Sequence, residues 1–187
     1  HITNRILLDI SLSLSSYISE REKNSLYFYD ISKISNCNND FKKAISDMLS
    51  LTVRRIEMQG ICFYGLQSEK FLRPLDTIHI GDDALADSTS FTCREKIIKD
   101  FCLENKDIKK KNQKLFNLTR KDFPKNSKKL DNLFNEVARY ILIPVKIDEE
   151  LVGVVEIFSL KNTKEESVVP YKTIEMFSSQ ISIILER

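Results

Sequence analysis

Glu156 is the first residue to call for a chemical explanation, because it interrupts the apolar run Leu151 to Leu160 and shares one face with Val152, Val154 and Phe158. A carboxylate in such surroundings needs a partner, or it takes up a proton to lose its charge. It either reads a ligand, pairs with a basic side chain, or reaches water at a sheet edge. Anion recognition has two candidate places. A helix amino terminus offers unpaired backbone N–H donors and a favourable dipole. Two such termini are expected, one at Ser90, Thr92 and Cys93, the other at Ser127 and Lys128. Helix capping alone also accounts for Thr92 and Ser127. In the run Ile61 to Leu66, Cys62 and Tyr64 share a face opposite Ile61 and Phe63, so one pair should line a pocket and the other a core. Arg73 is open to either use.

Other chemistries find little support. The four cysteines, Cys37, Cys62, Cys93 and Cys102, show no two-residue spacing, and His1 and His79 are the only histidines. A zinc site built from Cys and His is therefore not expected. His79 reads as structural, with nothing to supply a second ligand. No Ser/His/Asp set and no phosphate-cradling Gly-rich loop is present. Scattered cysteines in a chain of this size fit reduced thiols and a cytoplasmic location.

The elements that must position these residues fit one domain. The chain has 187 residues, 42% hydrophobic and 30% charged, with four Gly and four Pro, a composition of helix-rich globular domains. No apolar run approaches the roughly 18 residues of a membrane span. The net charge of +2 conceals a basic strip, since residues 106–130 hold ten Lys or Arg against Asp107 and Asp122. No helix-turn-helix or aromatic ribonucleoprotein motif accompanies it, so it reads as a solvated connection and no nucleic-acid partner is expected. The chain starts without Met, and Ile174, Phe177, Ile181 and Ile184 keep helical spacing to its end, as in a piece of a longer protein.

Leu7, Ile10, Leu14 and Tyr17 lie on a heptad seam, while Leu8, Ile10, Leu12 and Leu14 alternate as in a strand; helix is the reading adopted over residues 3–18. Ser25 to Ile34 reads as a second helix or the continuation of a long bent one. Asp40 to Ile56 carries Phe41, Ile45, Met48 and Leu49 on one face, as an amphipathic helix does. Ile61 to Leu66 and Phe71 to Ile80 predict a hairpin. Thr92 and Glu95 form a capping-box spacing that predicts a helix starting near Cys93. Leu115 to Leu118 is a candidate strand, and Ser127 a cap for the helix carrying Leu130, Phe134 and Val137. Tyr140 to Ile147 and Leu151 to Leu160, joined by the turn Asp148 to Glu150, form the strongest β signal. Both strands are apolar on both faces, which predicts a sheet covered on both sides.

At this second hairpin the sequence resembles a GAF domain. The residues are Arg139, Tyr140, Ile141, Leu142, Ile143, Pro144 and Val145, followed by Leu151, Val152, Gly153, Val154 and Val155. They match an Arg, a strand ending in Pro and an aliphatic, a turn, and a strand opening with aliphatic-Gly-aliphatic. Tyr140 stands where Ser is common. The remaining likeness, over residues 26–187, is in element order, and a PAS domain is the nearest alternative.

The resemblance implies an α+β fold with an antiparallel sheet of about six strands, terminal helices on one face and a ligand pocket on the other. Residues 1–35 are then an N-terminal helical dimerisation segment and residues 36–187 the sensor domain. It implies a non-catalytic sensor that binds a cyclic nucleotide, cAMP over cGMP, without a tightly bound cofactor. Such a sensor controls an attached output domain such as a diguanylate cyclase or histidine kinase, as a homodimer through terminal helices. Glu156 would accept a hydrogen bond from a purine edge. Asn117, Lys121, Phe123 and Asp131 follow the order of the family's Asn, Lys, Phe, Asp, Glu signature, with too wide a gap after Phe123 and no closing Glu. The other readings are a ligand-free dimerisation module and a thiol-based free methionine sulfoxide reductase using Cys62, Cys93 and Cys102.

Overall fold

The computed structural model describes residues 2–37, 40–56, 58–66, 72–79, 88–104, 115–123, 127–148, 150–161 and 171–186. Helix α1 (Ile2–Cys37) is a single helix of 36 residues, so residues 3–18 are helical and run on without a break into the second predicted helix. Its two halves differ. Leu7, Leu14 and Tyr17 are 60%, 57% and 63% exposed, whereas Tyr27 and Ile31 are buried against the body of the domain. The Tyr27 hydroxyl pairs with Thr52 Oγ1 at 2.8 Å, and Arg55 Nη2 donates to Asn24 at 3.1 Å, fastening this half to α2 (Phe41–Ile56). Asp40 starts α2 by accepting from the backbone N–H groups of Lys42 and Lys43 through Oδ1, the usual service of a short polar side chain at a helix start.

Strands β1 (Gly60–Leu66) and β2 (Leu72–His79) form the first hairpin. Helix α3 (Ser88–Glu104), the short strand β3 (Phe116–Leu118) and a 3-10 turn at Arg120–Asp122 follow. Helix α4 (Lys128–Glu136) begins at the Ser127 cap, where Oγ accepts from Leu130 N at 3.4 Å. Strands β4 (Val137–Ile147) and β5 (Glu150–Leu160) make the long hairpin, with Asp148 at φ 47° in its turn, and α5 (Tyr171–Leu185) closes the order. An Asp tolerates that left-handed backbone better than a branched residue does.

The start of α3 corrects one expectation. The helix begins at Ser88, so Thr92 is not its cap but its fifth residue. A Thr and a Glu three apart mark a helix start only when the preceding residues are not themselves helical, and here they are.

The described sheet has five strands in the order β2-β1-β5-β4-β3, with antiparallel pairing throughout. Because successive side chains alternate faces, β5 sends Val155 and Ile157 to one core and Val154, Glu156 and Phe158 to the other. The first core joins Ile61, Phe63, Ile141 and Ile143 to α1, α2 and α5. The second joins Cys62, Tyr64, Tyr140 and Leu142 to α3 and α4. Apolar strands on both faces thus lead to a sheet covered on both sides, as expected.

Candidate ligand-facing site

Glu156 lies on the central strand of the sheet, on the face beneath α3, and is fully buried. Directly across from it are Cys62 on β1 and Leu142 on β4. Tyr64 and Tyr140 sit two residues along those flanking strands, within diagonal reach of β5. Both hydroxyls donate to the carboxylate, Tyr64 to Oε2 at 3.1 Å and Tyr140 to Oε1. The remaining positions are met from above. Arg94 on α3 donates Nε to Oε1 at 2.9 Å and Nη2 to Oε2 at 2.5 Å, a two-pronged ion pair with both side chains fully buried. The four acceptor positions a carboxylate offers are all engaged by these three residues.

The local sequence explains how Arg94 arrives there. Arg94, Ile97, Ile98 and Phe101 follow the i, i+3, i+4, i+7 spacing of one helix stripe, and all four are buried. The guanidinium also lies over the Phe158 ring, 4.7 Å from its centre, close enough for cation–π attraction. Phe158 has room for this position because its cross-strand neighbour is Gly60. A Cβ at Gly60 would lie 2.0 Å from the Phe158 ring.

Electrostatics fix the protonation pattern. Burial opposes the charge on Arg94, and the hydrogen bonds and charge of Glu156 outweigh it, so its pKa lies above the ordinary value. Burial, reinforced by the Glu156 charge, pushes the Tyr64 and Tyr140 hydroxyls up as well, so both stay protonated and donate. Removing two charged groups from water costs several kcal/mol each, which a two-pronged pair with satisfied lone pairs can offset.

The other sequence candidates are dispersed around this centre. Cys62 and Tyr64 do face the same side as Glu156. Ser90 is in the first turn of α3, while Thr92 and Cys93 lie past the residues whose N–H groups a helix leaves unpaired. The side chains of Arg73, His79, Ser90 and Thr92 lie outside the described residues. Asn117 on β3 and Lys128 on α4 are exposed, and Ser127 serves as the α4 cap. Asp131 is held by Arg120, whose Nε donates to it at 2.6 Å, rather than standing beside Glu156. The lysine-rich residues 105–114 and 124–126 are outside the described residues.

Cys62, Cys93 and Cys102 are all buried, and burial raises the Cys93 thiol and pushes Cys102 up to about 12. Among the described residues no group of three His, Cys, Asp or Glu is placed to hold a metal ion, and no helix is long and apolar enough to cross a membrane.

No family profile and no curated protein matches the chain in sequence. Its structure, however, resembles many solved GAF domains. The nlh2 GAF domain of A. aeolicus in an inactive state matches with TM-score 0.56 and 13% identity, over 89% of this chain and 97% of that one. A GAF domain/HD domain protein from Geobacter sulfurreducens matches with TM-score 0.54 and 13% identity, over 83% and 96%. The phycoerythrobilin-bound GAF domain of a cyanobacterial phytochrome matches with TM-score 0.56 and 11% identity, over 87% and 93%.

Proposed function

The chain has the GAF-domain fold, and from that premise we propose that it is a non-catalytic regulatory module that senses a small ligand on the α3 side of its sheet. Its output leaves through α1 and α5, on the opposite face, toward an attached domain such as a diguanylate cyclase or histidine kinase. The observation that carries this reading is the buried Arg94–Glu156 pair with its two tyrosines. A buried charge pair is weak evidence of a stabilising role, and strongly perturbed titratable groups gather at functional sites.

A cyclic nucleotide is the ligand class this reading favours. To reach Glu156, its base must take over the hydrogen bonds that Arg94 now makes. A guanine edge presents two parallel N–H donors, as the guanidinium does, while adenine presents one donor beside an acceptor. The reading therefore favours cGMP or another guanine nucleotide, reversing the preference for cAMP expected from sequence. Titration calorimetry of this chain with cGMP, cAMP and c-di-GMP tests it. Heat from a saturable event with a guanine nucleotide supports the sensor; no heat from any of them contradicts nucleotide sensing.

A second reading is a module that dimerises with its ligand face filled by its own side chains. It is favoured by one specific observation, the engagement of all four acceptor positions of Glu156 by Tyr64, Tyr140 and Arg94.

A further inference from the structure

The partners of Glu156 come from two different parts of the fold. Tyr64 on β1 and Tyr140 on β4 belong to the sheet that carries the carboxylate, as does Phe158 on β5, whose ring meets the Arg94 guanidinium rather than Glu156. Arg94 alone comes from a separate element, α3. Without Arg94 the sheet still supplies a carboxylate steered by two hydroxyl donors, one to each oxygen. It also supplies an aromatic ring beside the place where a cation sits. Two oxygens facing a planar fork recognise a guanidinium by shape as well as by charge, and the ring rewards a flat, weakly hydrated cation over a compact ammonium.

We propose that Glu156, Tyr64, Tyr140 and Phe158 form a recognition cage for a planar group with two parallel N–H donors, of guanidinium or amidinium type, and that Arg94 is its tethered occupant. An external ligand carrying such a group competes with Arg94 for the carboxylate. Displacement removes the ion pair that joins α3 to β5 and leaves α3 held on this face by apolar side chains such as Ile97, Ile98 and Phe101, so occupancy of the cage loosens the docking of α3. The tether gives Arg94 a high effective concentration, and an external ligand succeeds by adding contacts beyond the cage. This inference deepens the proposed function and rests on its reading of the α3 side as the ligand-facing one.

The test is chemical rescue of Arg94→Ala. Methylguanidinium, acetamidinium and methylammonium are compared at equal ionic strength and millimolar concentration, far below the molar range in which guanidinium salts denature proteins. The expected result is a rise of about 2 °C or more in the thermal midpoint with methylguanidinium and acetamidinium, and none with methylammonium. The response should vanish in Arg94→Ala/Glu156→Gln. Should Arg94→Ala alone fail to fold, the same titrations are read as recovery of its far-ultraviolet circular dichroism, with the same order of the three cations expected. No response in either readout, an equal response to methylammonium, or a response that survives loss of the carboxylate overturns the proposal. The nucleotide titration of the unaltered chain is independent of this result: rescue without nucleotide binding keeps the cage and removes the nucleotide, and the converse removes the cage alone.

Discussion

Replacing Glu156 by Gln leaves the Arg94 guanidinium buried against a neutral amide, and breaking one side of a buried pair costs about 3–5 kcal/mol. Urea unfolding of Glu156→Gln should show a loss of that order, and Arg94→Met/Glu156→Gln should recover more than half of it, because the uncompensated buried charge is gone while the Gln oxygen accepts from one tyrosine hydroxyl and its amide N–H donates to the other. A double variant no better than the single one would mean that the charge pair is not the source of the loss. The thiols make a separate prediction. Cys102, with its pKa pushed up to about 12, and the raised Cys93 are protonated at pH 8 in the folded chain. Cys102 should react with iodoacetamide at least about a hundredfold more slowly than a free cysteine, whose pKa is near 8.5, Cys93 should also react more slowly than a free cysteine, and both should react at the ordinary rate after unfolding in urea. The sign for stability follows. A thiol raised in the folded state supports folding below its unfolded pKa, and for Cys102 that support is lost as pH climbs from about 9 toward 12. Fast alkylation of the folded chain would revive the reductase reading. Glu156 was legible in the sequence as one acid in an apolar strand. Arg94 was not, although it interrupts the helix stripe it shares with Ile97, Ile98 and Phe101. Its partner is 62 residues away, and periodicity reports which face a residue takes rather than what it meets there. Tyr140 stood out only as a departure from the family's Ser, and its role as a donor needed the register of β4 against β5.

Among the elements, α1 carries an unpartnered surface. Ile6, Leu7, Ile10, Leu14 and Tyr17 are all exposed, while the second half of the same helix is docked through Tyr27 and Ile31. A helix with exposed leucines at heptad spacing gains most from a second copy of itself. If α1 pairs in this way, the unaltered chain is expected to sediment as a dimer and Leu7→Glu/Leu14→Glu as a monomer at the same concentration, with the thermal midpoint of the variant set by the docked half alone. Identical sedimentation of both proteins would remove α1 as the pairing element. The strands were legible because alternation and β-branched runs are local signals. The early start of α3 was not, since the Thr92 and Glu95 spacing also occurs inside helices. The heptad seam and the strand-like alternation over residues 3–18 coexist in one leucine-rich stretch, and only the continuous helix distinguishes them.

At the scale of the whole molecule, the sheet separates two cores of different composition. The face beneath α3 holds the buried polar cluster, and the opposite face packs against α1, α2 and α5. The side chains of β5 alternate between the two, so a shift of Glu156 is one residue from Val155 and Ile157, which carry the terminal helices. A ligand changes the output only if it binds two arrangements of these helices with different affinity. Hydrogen exchange, which resolves local opening element by element, tests this coupling most directly. It should be measured on the unaltered chain with and without cGMP, cAMP and c-di-GMP at millimolar concentration. A guanine nucleotide is expected to change exchange in α3 and, in the same sample, in α1 and α5. Exchange that is unaltered in all three helices with every nucleotide, or altered in α3 alone, would contradict this coupling.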